Sequence, residues 1–324
     1  SLIYELVIRL RNLLYDNGKL ESQEFKTPSI CIGNLNVGGS GKTPFISFVV
    51  HYFQNDKNIA ILSRGYKRKT NGFKEIYIQD KATDVGDEPL QFKLQFPDVT
   101  VVVDEKRAHG MKMLESSYHP DLILLDDAFQ HRAVKADINI VLTMYQKPFY
   151  KDLLLPAGNL RETGSSAQRA DIIIVTKTPE DILDKEMSMM KKKLQSFDGQ
   201  PVFFSSIVYS KSIISREKKI SLTQFENFTL VTGIAQPQPL VDYLHEKDKV
   251  FKHLKFPDHH AFSDKELEQI KKAQPILTTQ KDFMRLKTVQ ELKEIYYLPI
   301  KFKVLQEEDT FFKLLNVRLK TQVH

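Results

Sequence analysis

A buried strand that empties into a glycine-rich turn ending in Lys-Thr leaves a chain few architectures to choose from. Ser29-Ile30-Cys31-Ile32-Gly33 reads as such a strand, Asn36-Val37-Gly38-Gly39-Ser40-Gly41 as the turn, and Lys42-Thr43 as the opening of an apolar helix. Backbone N–H groups and a helix N-terminus converge at a turn of this kind, and glycines let the backbone approach a phosphate closely. Lys42 is then placed to reach β- and γ-phosphates, and the Thr43 hydroxyl to ligate Mg²⁺. Asn36 stands where the common pattern has its first glycine. Asn tolerates left-handed backbone angles, so the turn stays feasible.

Beyond this loop, short apolar runs alternate with helical patterns. Residues 59–62, 99–103, 122–125, 138–142 and 172–175 read as strands, several of them continuously apolar and so covered on both faces. Helical stretches over 42–54, 104–117 and 180–195 fall between them, the signature of βαβ units around a parallel sheet. The expected fold class is α/β, a P-loop NTPase-type, doubly wound, mainly parallel sheet over residues 19–200. Near residue 201 the texture changes. Pro201-Val202-Phe203-Phe204 and Lys211-Ser212-Ile213-Ile214 suggest extended connecting strands rather than another crossover. A second alternation follows, so residues 201–324 are expected to form a smaller α/β domain with its linker strands. The length of 324 residues accommodates two domains at about 150 residues each.

Residues 1–18 stand apart. Leu2, Ile3, Leu6, Val7, Leu10, Leu13 and Leu14 recur at helical spacing until Asn17-Gly18, with Arg9 and Arg11 off the stripe. That pattern suits a helix lying in a lipid headgroup layer, and equally a helix packed on its own domain. Lys and Arg total 47 against 41 Asp and Glu, a net charge of +6 that favours anionic partners without choosing among them. No nucleic-acid partner is expected, because the lysines are spread along the chain instead of clustering with aromatics. No run approaches the roughly 18 apolar residues of a membrane span, and no secretory leader is recognisable, so neither spanning nor secretion is expected. Cys31 is the only cysteine, which excludes an intramolecular disulfide or a cysteine zinc cluster and fits a cytoplasmic setting.

Acidic and basic residues collect where the expected strands end. Leu122-Ile123-Leu124-Leu125 runs into Asp126-Asp127, the place of a magnesium-binding acid in a nucleotide-binding sheet. Unpaired buried charge is costly, so adjacent carboxylates there point to function, with a polar turn or helix cap as the alternative. Ala128-Phe129-Gln130-His131-Arg132 projects from the same edge. Gly86-Asp87-Glu88-Pro89 opens a helix, where capping is the commoner use of Asp and a general base the other reading. Phe256-Pro257-Asp258-His259-His260 forms a second polar cluster that lacks a third and fourth ligand for a metal. Arg64, Arg107 and Arg161 lie after expected strands or in loops, where open α/β sheets bind ligands.

In order along the chain, Gly33-Asn34-Leu35 with Gly38-Gly39-Ser40-Gly41-Lys42-Thr43-Pro44, then Leu62-Ser63-Arg64-Gly65-Tyr66, then the Gly86, Asp126 and Phe256 motifs, resemble the tetraacyldisaccharide 4′-kinase family. The resemblance runs over nearly the full chain and includes Asn36. It implies a two-domain α/β enzyme held peripherally at the cytoplasmic face of the bacterial inner membrane. With ATP and Mg²⁺, such an enzyme phosphorylates the 4′-hydroxyl of an acylated glucosamine disaccharide 1-phosphate to give lipid IVA. It also implies that Asp87, assisted by His259, takes the hydroxyl proton while Lys42 holds the transferring phosphate. By the same resemblance Thr43, Glu88, Asp126 and Asp127 surround the metal, and Arg64, Arg107, Gln130, His131 and Arg161 line the substrate. Residues 1–18 then meet the anionic surface of the inner leaflet.

A nucleotide-dependent switch or metallochaperone shares the fold and competes with this reading. A GTPase of that kind needs an Asn-Lys-x-Asp segment after a late strand. Val175-Thr176-Lys177-Thr178-Pro179 has Thr in place of Asn and Pro in place of Asp, so guanine specificity is unsupported.

Overall fold

The computed structural model describes residues 2–195, 199–258 and 260–320. The chain first lays down β1 (Ser29–Asn34), β2 (Ile59–Ser63), β3 (Lys74–Glu75), β4 (Thr100–Val103), β5 (Leu122–Asp126), β6 (Ile138–Met144), β7 (Ile172–Thr176) and β8 (Val202–Tyr209). An excursion forms β9 (Ser212–Ile214), β10 (Lys219–Ser221), β11 (Phe228–Thr232), β12 (Phe251–Lys255), β13 (Ile276–Thr278) and β14 (Ile295–Tyr297) before β15 (Ile300–Val304) returns. The strands make a nine-stranded sheet of order β15-β8-β7-β6-β1-β5-β2-β4-β3 and a six-stranded sheet of order β10-β9-β14-β13-β11-β12. Neighbours from β8 to β4 are parallel, and β3 and β15 are antiparallel edges.

The helices are α1 (Leu2–Asp16), α2 (Lys42–Phe53), α3 (Ala82–Val85), α4 (Asp87–Gln95), α5 (Arg107–Ser117), α6 (Asp184–Leu194), α7 (Gln238–Glu246), α8 (Asp264–Lys271), α9 (Gln280–Leu286) and α10 (Glu308–Lys320). Alternate side chains of a strand face opposite sides of its sheet, so a strand covered by helices on both faces must be apolar throughout. Ile30, Ile32, Ile61, Leu124 and Ile140 pack with Phe45 and Val49 of α2 and Phe311 and Leu315 of α10. Cys31, Leu62, Ile123, Leu125 and Val141 pack on the other face with Met111 of α5 and Met187 of α6. Each fully buried aliphatic or phenyl side chain contributes about 1.5–3 kcal/mol.

The expected boundary near residue 200 and the connecting role of 201–204 need correction. Val202, Phe203 and Phe204 are buried in β8, which pairs in parallel with β7 after the α6 crossover. The unit is therefore another βαβ crossover. The C-terminal segment also returns: Phe302 of β15 and Phe311 of α10 meet Phe45 with ring centroids 5.1 and 6.0 Å apart. Only about residues 210–299 build the second sheet, and β8 and β15 both join and complete the first. Helix 104–117 begins later than expected, at Arg107, because the Asp104 carboxylate accepts the Lys106 amide at 2.8 Å and holds the chain in a turn.

Helix α1 lies over the site edge of the main sheet. Tyr4 Oη donates to the Arg161 carbonyl at 3.0 Å, Arg11 to the Gln130 carbonyl at 2.8 Å, and Arg132 to the Asn12 carbonyl at 3.0 Å. Ile3, Leu6, Val7, Leu10 and Leu13 form the opposite face, each more than half exposed. Arg11 thus faces the protein, unlike the expected lipid-side residue, and Arg9 pairs with Glu5 at 2.6 Å.

Candidate active site

Every strand of the parallel region points its C-terminal end at one edge, where the loops carry the polar residues. At the end of β1 the chain turns without a left-handed Asn36, which is not among the residues of positive φ. Asn36 instead bridges to Leu160, and its side-chain amide donates to Asp152 Oδ2 at 2.8 Å. The Val37 amide donates to the Asn159 carbonyl at 2.7 Å, and the Thr176 hydroxyl at the end of β7 to the Ser40 carbonyl at 2.7 Å. Gly41 precedes α2 at φ 88°, a left-handed conformation that glycine adopts without strain. No side chain caps α2, so the first-turn amides stay directed at the loop. Lys42 Nζ donates to Asn34 Oδ1 at 3.1 Å and lies 3.5 Å from Asp127 Oδ1.

The two carboxylates after β5 live in different environments. Asp126 is buried and accepts the Ser63 hydroxyl at 2.8 Å. Burial, then the charges of Glu88 and Asp127, push its carboxyl up to about 7, against the pull of Lys42 and Ser63. Asp127 takes a left-handed turn at φ 49°. Burial would raise its carboxyl as well, but Lys42 and Arg161 overcome that and hold it well below the usual carboxylate range. Arg161 grips both Asp127 oxygens, at 3.1 and 2.8 Å, and also donates to Asn34. Glu88, in the first turn of α4, is near enough for its charge to bear on Asp126.

The basic residues converge on the same edge. Arg107 is buried at the start of α5, where it donates to the Asp126 carbonyl at 3.1 Å and to the Asp104 carbonyl. Burial pulls its guanidinium down to about 10 although Asp126 and Asp127 oppose this. Burial, then Arg107 and Arg64, push the His131 imidazole down to about 4, so it is neutral at physiological pH. Gln130 Nε2 donates to the Asn34 carbonyl at 3.0 Å, and Arg64 is exposed at the end of β2.

Asp87 does not cap its helix. Gly86 occupies that position at φ 96° and ψ 150°, and no side chain caps it. A Cβ on Gly86 would stand 3.3 Å from the Gly65 Cα, so the Ser63-to-Tyr66 loop and the Asp87 loop touch. The Asp87 carboxylate is turned toward α9, where Arg285 Nε lies 3.0 Å from Oδ2 and Nη2 shares that oxygen. The cap reading therefore fails, because Asp87 is the first residue of α4 with Gly86 in the cap position and its side chain reaches Arg285 on α9. His259 lies outside the described residues. Its neighbour Asp258 pairs with Lys281 at 3.2 Å, and His260 pairs with Glu266 at 3.0 Å and stacks on Phe256.

Asn34, Ser63, Thr176 and Arg285 receive no role from the sequence reading yet hold Lys42, Asp126, the loop and Asp87 in place. Asn34, Ser63 and Thr176 are the last residues of their strands, the same positional signal that singles out Asp126, whereas Arg285 lies in the last turn of α9 and carries no such signal. The arrangement fits a nucleotide triphosphate and its divalent ion. Ser40 Oγ, Gln130 Oε1, Arg107 Nε and Arg161 Nε are buried side-chain atoms with no protein partner. No group of three or more His, Cys, Asp or Glu among the described residues could hold a metal by itself. A Mg²⁺ ion bound there would keep phosphate and water oxygens among its ligands.

Comparison with known proteins agrees with the geometry. The sequence model of the tetraacyldisaccharide-1-P 4′-kinase family matches residues 1–320. The tetraacyldisaccharide 4′-kinase of Flavobacterium johnsoniae is 42% identical over 318 residues, covering 96% of this chain and 93% of that protein. That of Bacteroides fragilis is 42% identical over 335 residues, covering 96% and 89%. The "apo" form of LpxK from Aquifex aeolicus in complex with ATP superimposes with a TM-score of 0.79 at 31% identity, covering 98% of this chain and 97% of that one. A loop built for phosphates, paired strand-end acids and full-length similarity thus converge, and the chain belongs to the tetraacyldisaccharide-1-P 4′-kinase family.

Proposed function

We propose that this chain uses ATP to phosphorylate the 4′-hydroxyl of a tetraacylated glucosamine disaccharide 1-phosphate lying in the cytoplasmic leaflet of the bacterial inner membrane. The observation that carries this reading is the convergence of Lys42, Asp127 and Arg161 on one strand-end site, with Asp87 engaged across the cleft by the second sheet's α9. Lys42 and the residues of the glycine turn, 36–43, bind the phosphates, and the α2 amides orient them. Thr43, Asp126, Asp127 and Glu88 are the residues that would hold Mg²⁺. When bound, the ion offsets charge on the β- and γ-phosphate oxygens.

A sugar hydroxyl is a weak nucleophile. Asp87, in a cleft wall and aided by His259, takes its proton as the new P–O bond forms and the bond to the ADP oxygen breaks. Lys42 and Arg161, which pair with Asp127 here, supply the cations for the transferring phosphoryl group. Arg64, Arg107, Gln130 and His131 line the acceptor side, with His131 acting as a neutral hydrogen-bonding group. The units of the two sheets meet at this site, where α4 packs on α9 and Arg285 pairs with Asp87.

No helix among the described residues is long and apolar enough to cross a membrane. The exposed Ile3-to-Leu13 face of α1 supplies a peripheral attachment instead, next to the site through Tyr4 and Arg161. Burying that face among lipid headgroups sets the cleft beside an acceptor that stays in the bilayer. ADP formation by the purified protein tests the reading. It should depend on the disaccharide 1-phosphate in detergent micelles and be faster with ATP than with GTP. ADP release at the same rate without acceptor would favour a nucleotide-hydrolysing switch.

A further inference from the structure

Arg285, in the second sheet's unit, reaches the Asp87 carboxylate of the first. It lies 198 residues from Asp87 in sequence, and their side chains meet where α4 packs on α9. Both are largely withdrawn from water, at 11% and 16% side-chain exposure. A charge pair so placed cannot be dismissed as a surface contact worth a fraction of a kcal/mol.

The guanidinium is itself held. Asp282, fully buried, accepts the Gly233 amide at 2.9 Å and the Thr279 hydroxyl at 2.7 Å, and stands 3.5 Å from Arg285 Nη1. Thr279 caps α9 through the Asp282 amide, which fixes the first turn of the helix. Lys281 takes Asp258 at 3.2 Å. The segment Lys281-Asp282-Phe283-Met284-Arg285 therefore braces three separate pieces of the cleft. These are the loop around Asp258, the turn after β11 and the Asp87 carboxylate.

We propose that Arg285, oriented by Asp282, is a positioning residue for phosphoryl transfer: reaching from α9 to α4, it sets the direction of the Asp87 carboxylate. The inference rests on the reading of Asp87 as general base. Two N–H groups of one planar guanidinium address one carboxylate oxygen, Oδ2, which fixes direction as well as charge. A lysine would return the charge without the fork. Misplacing a catalytic group by about 1 Å can cost 10²-fold in rate, so the effect belongs in kcat.

The test is a double-mutant cycle on the full-length protein, with acceptor and ATP both varied in mixed micelles. Arg285→Gln should lower kcat by about 10- to 100-fold while the ATP dissociation constant changes by less than about threefold. Arg285→Lys should recover part of the loss. In an Asp87→Asn background, Arg285→Gln should lower kcat no further, because a residue that acts through Asp87 has nothing left to aim. Melting temperatures of all variants separate folding from function, and Arg285→Lys carries the same cycle if Arg285→Gln does not fold. Multiplying losses in the double variant, or a lower melting temperature with kcat intact, would overturn the inference. An impaired Asp87→Asn beside an unimpaired Arg285→Gln sinks this inference alone, whereas a fully active Asp87→Asn sinks the general-base reading and this inference with it.

Discussion

Lys42 holds one charge between Asn34 and Asp127, at the point where the first turn of α2 opens onto the glycine loop. Removing its amine takes away the cation for the β- and γ-phosphates and leaves Asp127 with Arg161 alone. Lys42→Ala and Thr43→Ala are expected to abolish acceptor phosphorylation in folded protein, and near wild-type turnover by either would remove the P-loop kinase reading. His131 allows a prediction about pH. Its folded-state imidazole titrates at about 4, below the ordinary value of 6.5, because of burial and then Arg107 and Arg64. Between pH 6.5 and 4 the unfolded chain therefore takes up a proton that the folded one refuses, and stability falls as pH falls through that window. Urea unfolding at pH 7.5 and 5 should show that His131→Asn loses about 1–2 kcal/mol less than wild type over this interval. Equal losses in the two proteins would show that folding does not lower the proton affinity of His131.

At the scale of elements, α1 has two faces with different tasks. Tyr4, Arg11, Asn12 and Asp16 contact Arg161, Gln130 and Arg132, so cutting the helix off would also disturb the site edge. Substitution of its outer face is the cleaner probe. Leu6→Ser with Leu10→Ser changes side chains that are 68% and 55% exposed, and exposed positions of this kind alter folding by only about 0.5 kcal/mol. Each leucine buried in lipid contributes about 1.5–3 kcal/mol, so binding to anionic liposomes should weaken at least about tenfold. Sedimentation with liposomes measures this, and unchanged sedimentation would move the lipid contact away from α1. The strands of the main sheet were legible from continuous apolar runs, since β1, β2, β5 and β7 are buried along their whole length. Strand β8 misled at Pro201-Val202-Phe203-Phe204, which reads as a connecting segment although Val202, Phe203 and Phe204 are buried where β8 pairs with β7.

At the scale of the whole molecule, the sequence contains the main sheet and the loop edge but not the path of the C-terminus. Phe302 and Phe311 carry no label saying that they close the core around Phe45, because such contacts depend on the return of the chain after the excursion. The same holds for the site. Lys42, Asp126 and Asp127 sit in a local motif and could be read directly, whereas at Asp87 local pattern favoured a helix cap, only the family resemblance pointed to a base, and its partner on α9 lies 198 residues away. Long-range pairing is where local pattern runs out. The most direct measurement of the central claim follows the label of γ-³²P-ATP after mixing with the protein and the tetraacylated disaccharide 1-phosphate in micelles. The account predicts that the label moves into the lipid as a phosphomonoester at the 4′ position, in step with ADP formation. Label that appears only as inorganic phosphate, with the lipid unmodified, would contradict it.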